Sequence, residues 1–270
     1  MIKQKIKKLR TEGLSLREIS KKLNSPYSTV RRHCKNIEMS EQGKKRYHSK
    51  VKGVVKYIKI KEGLNEEKVR IISNLLFDGA VYKVKSHYSV MYVNSSKELI
   101  DQFMGDMWRV YGVKPSSFEI FKTYYRVKYL SKQIYNDLMD YFDSFSTSDP
   151  RCSIPSLILD DARFKIIILR AFWENEGSIS KEGKLSADLI NFKVIKQLSN
   201  LHNEFGLKHN ISKYWKNKWA YKLFLSRSKE NYQRFLDLNL LSKANVTRGH
   251  FIGRKKIDVL KEYFNNKFVP

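Results

Sequence analysis

Two acidic residues in this chain stand directly before a glycine, each at the end of an apolar stretch with helical spacing. Asp78-Gly79 closes IISNLLFDG, and Glu176-Gly177 closes LRAFWENEG. An acid at a helix C-terminus is unfavourable against the helix dipole, so its occurrence at two matching places indicates a chemical use. Carboxylate oxygens are ligands that suit Mg²⁺. The alternative is helix termination with a surface charge.

The segments around the two acids look like one unit written twice. One predicted helix follows the N-cap residue Asn65 and ends at Asp78, and the other follows Asp161 and ends at Glu176. Each is followed by two short strands, a helix that ends before a glycine, two more strands and an amphipathic helix. We interpret this order as an internal duplication of a helix-strand-strand-helix-strand-strand-helix unit.

Packing of the two acid-ending helices against each other would bring their carboxylates side by side. Small residues, Ser73 and Ala171, stand at matching positions where close helix contact requires them. Two adjacent carboxylates repel unless a positive charge lies between them, and a divalent cation is the natural solution. We expect the glycine after each acid to let the chain leave the helix through an unusual backbone angle.

The charge of the chain demands a polyanionic partner. Among 270 residues, Lys and Arg number 53 against 27 Asp and Glu, a formal net charge of +26, while 41% hydrophobic residues suffice for a packed core. The two cysteines and six histidines show no spacing typical of a disulfide framework or a zinc site. The sequence shows neither a signal peptide nor a membrane-spanning run, which predicts a cytoplasmic, nucleoid-associated protein without membrane contact.

Residues 1–38 have the pattern of a separate helical domain. Leu16, Ile19 and Leu23 lie at helical spacing, Asn24-Ser25-Pro26 breaks the helix, and a basic second helix follows, which is typical of a helix-turn-helix that binds DNA. A helical pair packed only for stability is the alternative. Residues 39–52 read as a basic linker. The residues expected to contact DNA from the second helix are Ser28, Thr29, Arg31, Arg32 and Lys35.

The two acid-glycine segments resemble the LAGLIDADG motif. The order of elements is similar to that of the LAGLIDADG homing endonucleases over most of residues 53–270, and SIPSLILDDARFKIIILRAFWENEGSI is similar to the second-motif region of the two-motif, intein-type members. The resemblance implies an α+β fold of duplicated αββαββα units, 53–150 and 151–270, whose antiparallel sheets form a pseudo-twofold saddle. It also implies a monomer, because one chain supplies both half-sites.

The activity that the resemblance implies is site-specific, Mg²⁺-dependent cleavage of double-stranded DNA, one phosphodiester on each strand. Asp78 and Glu176, with Gly79 and Gly177, would form the metal sites, and Glu174 would have a structural or only indirect role. A basic residue would stabilise charge on each phosphate. The basic residues at the matching positions are Arg151, where intein-type relatives show lysine, in the first unit and Arg254, Lys255 or Lys256 in the second.

The strands of the saddle would present basic side chains to a duplex. Asn74 and Phe77 depart from the family pattern, which predicts a less tight contact for the first helix. Two other functions remain open: a catalytically inactive transcriptional regulator that uses the same saddle and helix-turn-helix, and an RNA-binding splicing helper, against which the helix-turn-helix argues. The saddle lysines expected on DNA are Lys83, Lys85, Lys213, Lys216 and Lys222.

Overall fold

The computed structural model describes residues 2–52, 58, 60, 63–215, 219–247 and 249–268. They belong to two compact units, Met1–Tyr57 and Ile58–Pro270, which we call the N-terminal and C-terminal units. Over these residues, no helix combines the length and the apolar character needed to cross a bilayer.

The N-terminal unit is built of helices around a small apolar core. Helix α2 begins after Ser15, whose hydroxyl accepts a hydrogen bond from the Glu18 backbone N–H while the Glu18 carboxylate accepts one from the Ser15 N–H. Ile6, Ile19 and Val30 are fully buried between the first three helices. The helices are α1 (Ile2–Thr11), α2 (Leu16–Lys22), α3 (Tyr27–Cys34) and α4 (Glu41–Lys52).

The segment 39–52, interpreted from its composition as a linker, contains helix α4 in the structure. The Ser40 backbone N–H and hydroxyl both donate to the carbonyl of Thr11, which anchors the start of α4 to the end of α1. Gly43 allows this contact, because a Cβ there would lie 2.2 Å from the Thr11 carbonyl oxygen. The polar composition of the segment does not indicate a helix, because its contact with α1 uses backbone atoms and a glycine rather than apolar side chains.

The C-terminal unit contains two four-stranded antiparallel sheets, with strand orders β1-β2-β4-β3 and β5-β6-β8-β7. The expected α+β duplication is confirmed, since each sheet is threaded by the same order of helices and strands. The division between residues 150 and 151 stays a prediction. The elements are α5 (Glu66–Asp78), β1 (Gly79–Val84), β2 (His87–Asn94), α6 (Lys97–Tyr111), β3 (Ser117–Ile120), β4 (Tyr125–Leu130), α7 (Lys132–Met139), α8 (Ser156–Leu159), α9 (Ala162–Glu176), β5 (Gly177–Ile179), β6 (Leu185–Leu189), α10 (Phe192–Glu204), β7 (His209–Trp215), β8 (Trp219–Leu225), α11 (Lys229–Asp237) and α12 (Lys256–Phe268).

Helices α5 and α9 pack against each other at the centre of the C-terminal unit. The Asn65 side chain caps α5 and the Asp161 side chain caps α9, so both helices start where the sequence predicts. Ser73 and Ala171 are buried, as expected for small residues at a close contact. Ser73 satisfies its hydroxyl within the helix by donating to the Val69 carbonyl oxygen at 2.7 Å.

Two contacts join α5 and α9, and in each a residue four positions before one acid meets the residue directly before the other acid. The Asn175 amide donates to Asn74 Oδ1 at 2.9 Å, and the rings of Phe77 and Phe172 lie 5.5 Å apart. Asn74 and Phe172 precede their acids by four residues, and Phe77 and Asn175 precede theirs by one. The substitutions that predicted a less tight first helix are thus matched by partners in the second helix: one polar pair and one aromatic pair.

We expect Asn74 and Asn175 to be energetically coupled. In a double-mutant cycle of Asn74→Ala and Asn175→Ala, urea unfolding should give a coupling free energy of about 0.5–3 kcal/mol, because each single change removes the same hydrogen bond between the two helices. Asn231 is a matched control, since it is also buried but bonds only to Lys208, Ser226 and Ser228 in the second repeat. Asn74→Ala and Asn231→Ala should be additive within about 0.5 kcal/mol. Additivity of the Asn74 and Asn175 changes would contradict the pairing.

Candidate active site

The packing of α5 against α9 brings Asp78 and Glu176 to one cleft. The cleft has a volume of about 840 Å³, and its walls include Lys256 and the β3–β4 turn at Thr123 and Tyr124. Both carboxyl side chains are half-buried. The structure therefore unites the two acids that the sequence places 98 residues apart.

The glycines after the acids serve a different purpose from the one expected. Gly79 (φ −117°) and Gly177 (φ −66°) have extended backbone angles open to any residue, so the prediction of an unusual angle is wrong. Close approach requires them instead: a Cβ on Gly79 would lie 2.5 Å from Leu75 Cα, and one on Gly177 2.2 Å from the Trp173 carbonyl oxygen. The strand leaves each helix directly over the preceding turn, where no side chain fits.

Burial and mutual repulsion disfavour the charge on Glu176. Burial, with the nearby charges of Asp78 and Asp188, raises the pKa of Glu176 to about 8, although Lys256 opposes the shift. Burial also raises the pKa of Asp78 to about 6, against the effects of Lys256 and a hydrogen bond from Asn94. The cleft therefore favours the protonated form of both carboxyl groups, and of Glu176 more strongly than of Asp78.

Lys256 supplies a positive charge inside the cleft. Its ammonium donates to the Gly177 carbonyl oxygen at 2.5 Å, and burial lowers its pKa to about 8 although Asp78, Glu176 and Glu174 favour the charged form. The position could be found from sequence, because Lys256 precedes the buried residues Leu260 and Phe264 at helical spacing. A lysine on the apolar face of a helix marks a buried charge that needs partners.

The other predicted basic residues lie elsewhere. Arg151 is exposed, makes two side-chain hydrogen bonds to Asp149, and is absent from the walls of the cleft. Lys255 is exposed and bonds to Glu98 at 2.9 Å. The structure thus brings only Lys256 of these three basic residues to the acids, and the described part of the cleft offers no arginine to Asp78 or Glu176.

A chain of side-chain amides positions Asp78, and no local pattern in the sequence indicates it. Asn94 donates to Asp78 Oδ2 and to Asn175 Oδ1, both at 3.0 Å, and Tyr92 donates to the same Asn175 oxygen at 2.8 Å. Asn94 Oδ1 in turn accepts from the Ser96 backbone N–H. Asp78 is therefore oriented through strand β2 and through the opposite helix, α9.

Glu174 is buried in the wall of the cleft. Its carboxylate accepts hydrogen bonds from the Ser242 hydroxyl and the Lys243 backbone N–H, at 3.1 and 3.2 Å. Burial raises its pKa to about 7, opposed by Lys243 and Ser242. These contacts fasten α9 to the segment that leads towards α12, and so favour the structural role that the resemblance implies.

The donor set of the cleft fits a hard divalent cation bound in part by water and substrate. Among the described residues no three His, Cys, Asp or Glu side chains are grouped to hold a metal ion, so Asp78 and Glu176 stand as a pair. Mg²⁺ commonly binds through one or two carboxylates, with waters and phosphate oxygens as its other ligands. The Gly177 carbonyl, expected as a further ligand, is engaged by Lys256.

The sheet faces opposite the helices carry few of the predicted lysines. Lys222 lies on the open face of its sheet, because its neighbour Leu223 is buried on the face that the helices cover. Lys222 also pairs with Asp188. Lys83 and Lys213 lie on the helix-covered faces, in register with Val90 and Leu223, and both lysines are exposed near the ends of their hairpins. Lys85 lies in the β1–β2 turn, and Lys216 falls outside the described residues. Sequence reasoning missed two residues of the open face, Arg126 and Lys128.

Helix α3 of the N-terminal unit presents its polar side to solvent. Ser28, Arg31, Arg32 and Lys35 are exposed and Thr29 is partly buried. Val30 and Cys34 face the core. The residues predicted to contact DNA thus share one accessible surface, defined here as the α3 surface.

We expect Glu176→Gln to stabilise the fold at high pH. Because the pKa of Glu176 is raised in the folded protein, the folded state holds a proton between about pH 4.5 and 8 that the unfolded state has already lost. The charged Glu176 therefore lowers the free energy of unfolding above pH 8. Urea unfolding should show that Glu176→Gln increases the free energy of unfolding by on the order of 2 kcal/mol at pH 9, and that this increase vanishes near pH 4.5. The control is Glu182→Gln, an exposed carboxylate whose pKa is lowered by Ser180, which should give no gain at pH 9. Equal effects of the two changes would contradict the burial of Glu176.

Comparison with known proteins finds similarity in structure. No family model and no curated protein matches the chain. A structure of mesophilic variants of the homing endonuclease I-DmoI is 19% identical, with a TM-score of 0.51, and the match covers 65% of this chain and 94% of that one. I-DmoI in complex with DNA and Ca is 16% identical, with a TM-score of 0.51, covering 73% of this chain and 97% of that one.

A second type of protein is similar at the same level. Full-length DUF199/WhiA from Thermotoga maritima is 15% identical, with a TM-score of 0.50, and the match covers 78% of this chain and 64% of that one. At these identities the likenesses define the fold. Together with the two acid-ending helices packed at the centre of two duplicated sheets, they establish that this chain is a LAGLIDADG-fold protein.

Proposed function

We propose that this protein is a double-stranded DNA endonuclease that hydrolyses one phosphodiester on each strand. One observation carries the proposal: Asp78, Glu176 and Lys256 meet in one cleft between two sheets of a strongly basic protein. Helix termination alone does not explain why the acids meet, because two half-buried carboxyl groups beside each other carry an electrostatic cost. The likeness to I-DmoI solved with DNA supports the same substrate class.

Asp78 and Glu176 would hold the divalent cation, for which Mg²⁺ is the best fit. When bound, such a cation lowers the pKa of its water and neutralises charge on a phosphate. The likeness to an I-DmoI structure that contains Ca supports a divalent cation of this kind. Glu176 must lose its proton to become a ligand, while Asp78 is already oriented by Asn94.

We assign to Lys256 the role of stabilising the negative charge on the phosphate. Its ammonium lies at the floor of the cleft against the Gly177 carbonyl, close enough to both acids to alter their pKa values. A preorganised positive charge in a buried site stabilises developing negative charge more strongly than one in water. Arg151 and Lys255 do not share this position, so the predicted catalytic roles of these two residues are not part of the proposal.

The N-terminal unit would extend the contact with DNA. The α3 surface groups Arg31, Arg32 and Lys35 on an exposed helix that follows a tight turn, as in a helix-turn-helix. Basic side chains on such a helix bind phosphates, and the hydroxyls of Ser28 and Thr29 could add polar contacts. Since both catalytic acids belong to one chain, we propose that the protein acts as a monomer.

A second function, a catalytically inactive DNA-binding regulator, is favoured by one feature. Lys256 and the raised pKa of Glu176 together reduce the net negative charge of the acids without any metal ion. The acids can therefore persist for structural reasons in a protein that only grips DNA. The likeness to DUF199/WhiA is as close as the likeness to I-DmoI, and so does not separate the two functions.

A binding-then-cleavage selection tests the proposal. A randomised duplex library is captured on the protein in Ca²⁺, Mg²⁺ is added, and both the bound sites and any new DNA ends are sequenced. The variant Asp78→Asn/Glu176→Gln is run in parallel. We expect discrete paired ends within the bound site for the wild type, and a loss of more than about a thousandfold for the variant.

Folding of the variant is checked by urea unfolding, because it removes two acids that favour the charged form of the buried Lys256. Equal cleavage by wild type and variant would refute the assignment of the acids. A sharp bound site without ends in either protein would establish the regulator. An absence of enrichment of any duplex would point to RNA, as expected for the splicing helper, or to branched DNA.

We expect Lys256→Met and its neighbour Lys255→Met to differ sharply. Lys256→Met removes the ammonium from the cleft and should lower the cleavage rate by about a hundredfold or more, because a preorganised charge is lost. Lys255→Met removes an exposed ion pair with Glu98 and should leave the rate within about twofold. Single-turnover cleavage of the selected site measures both, and a similar loss in both variants would show that only overall charge matters.

A further inference from the structure

The β7–β8 hairpin ends in two exposed tryptophans on the helix-covered side of the second sheet. Trp215 and Trp219 form its last strand pairing, with ring centroids 5.3 Å apart, and their exposed fractions are 63% and 52%. Because side chains alternate along β8, Trp219 lies on the same face as the fully buried Leu223. The helices that bury Leu223 therefore leave the end of this face open to solvent.

The start of α10 adds further rings to this end of the face. The Phe192 ring lies 5.0 Å from the Tyr221 ring, and Phe192 is 54% exposed. Tyr221 stands two residues after Trp219 on β8, so it shares the face of the indoles. We define Phe192, Tyr221, Trp219 and Trp215 as the aromatic strip. Contiguous exposed rings of this kind are uncommon on a soluble protein unless they bind a partner.

Lysines border the aromatic strip. The Lys213 ammonium lies 4.2 Å from the centroid of the Trp219 ring, and Lys213 pairs with Tyr221 in the strand register, which places it on the same face. On α10, Lys193 directly follows Phe192 and Lys196 comes one turn later, and both lysines are exposed. The strip therefore combines accessible ring faces with positive charge.

The charge of the chain selects among the partners that could cover these rings. A second copy of the chain would bring another net charge of +26 to a surface that already carries lysines, which opposes self-association. A polyanion is attracted instead. A nucleic-acid duplex keeps its base faces stacked inside, whereas a single strand offers a base face to an aromatic ring and a phosphate to a lysine. The strip thus has the chemistry of a single-strand site.

We propose that the aromatic strip is a second nucleic-acid site, which binds single-stranded DNA or RNA by stacking bases on its rings. Trp215 and Trp219 supply the most exposed rings, and Lys213 would hold a phosphate beside them. The strip lies on the opposite face of the sheet from Lys222, so its occupant does not compete with a duplex on the open face. The inference goes beyond the proposed endonuclease, because it depends neither on the acids nor on a cation.

Equilibrium binding to the full chain tests the site. The probes are fluorescein-labelled dodecamers of oligothymidylate and oligouridylate, with a duplex of the same length for comparison, measured by anisotropy in EDTA. The variants are Trp215→Ala/Trp219→Ala, the rescue Trp215→Phe/Trp219→Phe and the control Trp108→Ala. Trp108 lies on α6 and is 55% exposed, which matches the indoles in accessibility.

We expect the double alanine variant to bind single strands at least about tenfold more weakly than the wild type, because two stacking rings are lost. The phenylalanine variant should recover most of the affinity, and Trp108→Ala should stay within about twofold of the wild type. Duplex binding should be the same in all four proteins. The relative affinity for the two dodecamers shows whether DNA or RNA is the preferred strand.

Tryptophan fluorescence gives a second readout. Single strands should quench it in the wild type and in Trp108→Ala, but not in the double alanine variant, since Trp173 is fully buried. Lys213→Gln should keep this quenching at saturation and reduce the salt slope of single-strand binding by about 0.7, as expected for one lost phosphate contact. Lys181→Gln, which changes an exposed lysine in the β5–β6 turn, is the matched control and should leave the slope unchanged.

Several results would overturn the single-strand site. They are an absence of quenching in the wild type, equal affinities of the wild type and the double alanine variant, an equal loss with Trp108→Ala, and a weakening of duplex binding as large as that of single-strand binding. Self-association that sedimentation detects in the wild type but not in the double alanine variant would assign the strip to a second copy. Single-strand binding by a protein that makes no cuts would refute the endonuclease alone.

Discussion

The packing of α5 against α9 places two carboxyl groups where water is scarce, and the rest of the C-terminal unit is arranged around that contact. Two complementary pairs hold the helices, Asn74 with Asn175 and Phe77 with Phe172. The strands that follow need glycine, because they pass directly over the last turn of each helix. A change in the helix contact would therefore move both acids, the start of both sheets and the cleft between them.

Balance of charge in the cleft follows from this placement. Burial raises the pKa of Asp78 and of Glu176. The ammonium of Lys256 provides the opposing positive charge, and burial lowers its pKa in turn. The cluster of charged groups is thus kept at a cost in electrostatic free energy, which binding of a cation or a phosphate could reduce. Asn94 and Asn175 add orientation on the Asp78 side, so the two acids differ in their surroundings although they are related by the duplication.

The duplication, both acids and the limits of most helices were visible in the sequence because caps, apolar spacing and acid-glycine endings are local signals. The reason for the glycines was not, since their contacts with Leu75 and Trp173 depend on the direction in which each strand leaves its helix. Lys256 had a local signal in its spacing from Leu260, but nothing local separates its role from that of Lys255. The pairing of Asn94 with Asp78 depends on strand β2 lying beside α5.

Which face of a sheet a lysine occupies depends on register, and this is why Lys83 and Lys213 were assigned to the DNA face while Arg126 and Lys128 were missed. Alternation predicts two faces but not which one the helices cover. Helix α4 shows the same limitation, because its contact with α1 uses Gly43 and a backbone carbonyl rather than an apolar stripe.

The most direct test of a cation site at the two acids is the number of protons released when Ca²⁺ binds to the protein on its selected duplex, measured by calorimetry at pH 7.5 in two buffers of different ionisation enthalpy. We expect release of about one proton by the wild type, because Glu176 must ionise to become a ligand, and almost none by Glu176→Gln. Cation binding without proton release, or equal release by the two proteins, would contradict the claim that the acids share this cleft as a cation site.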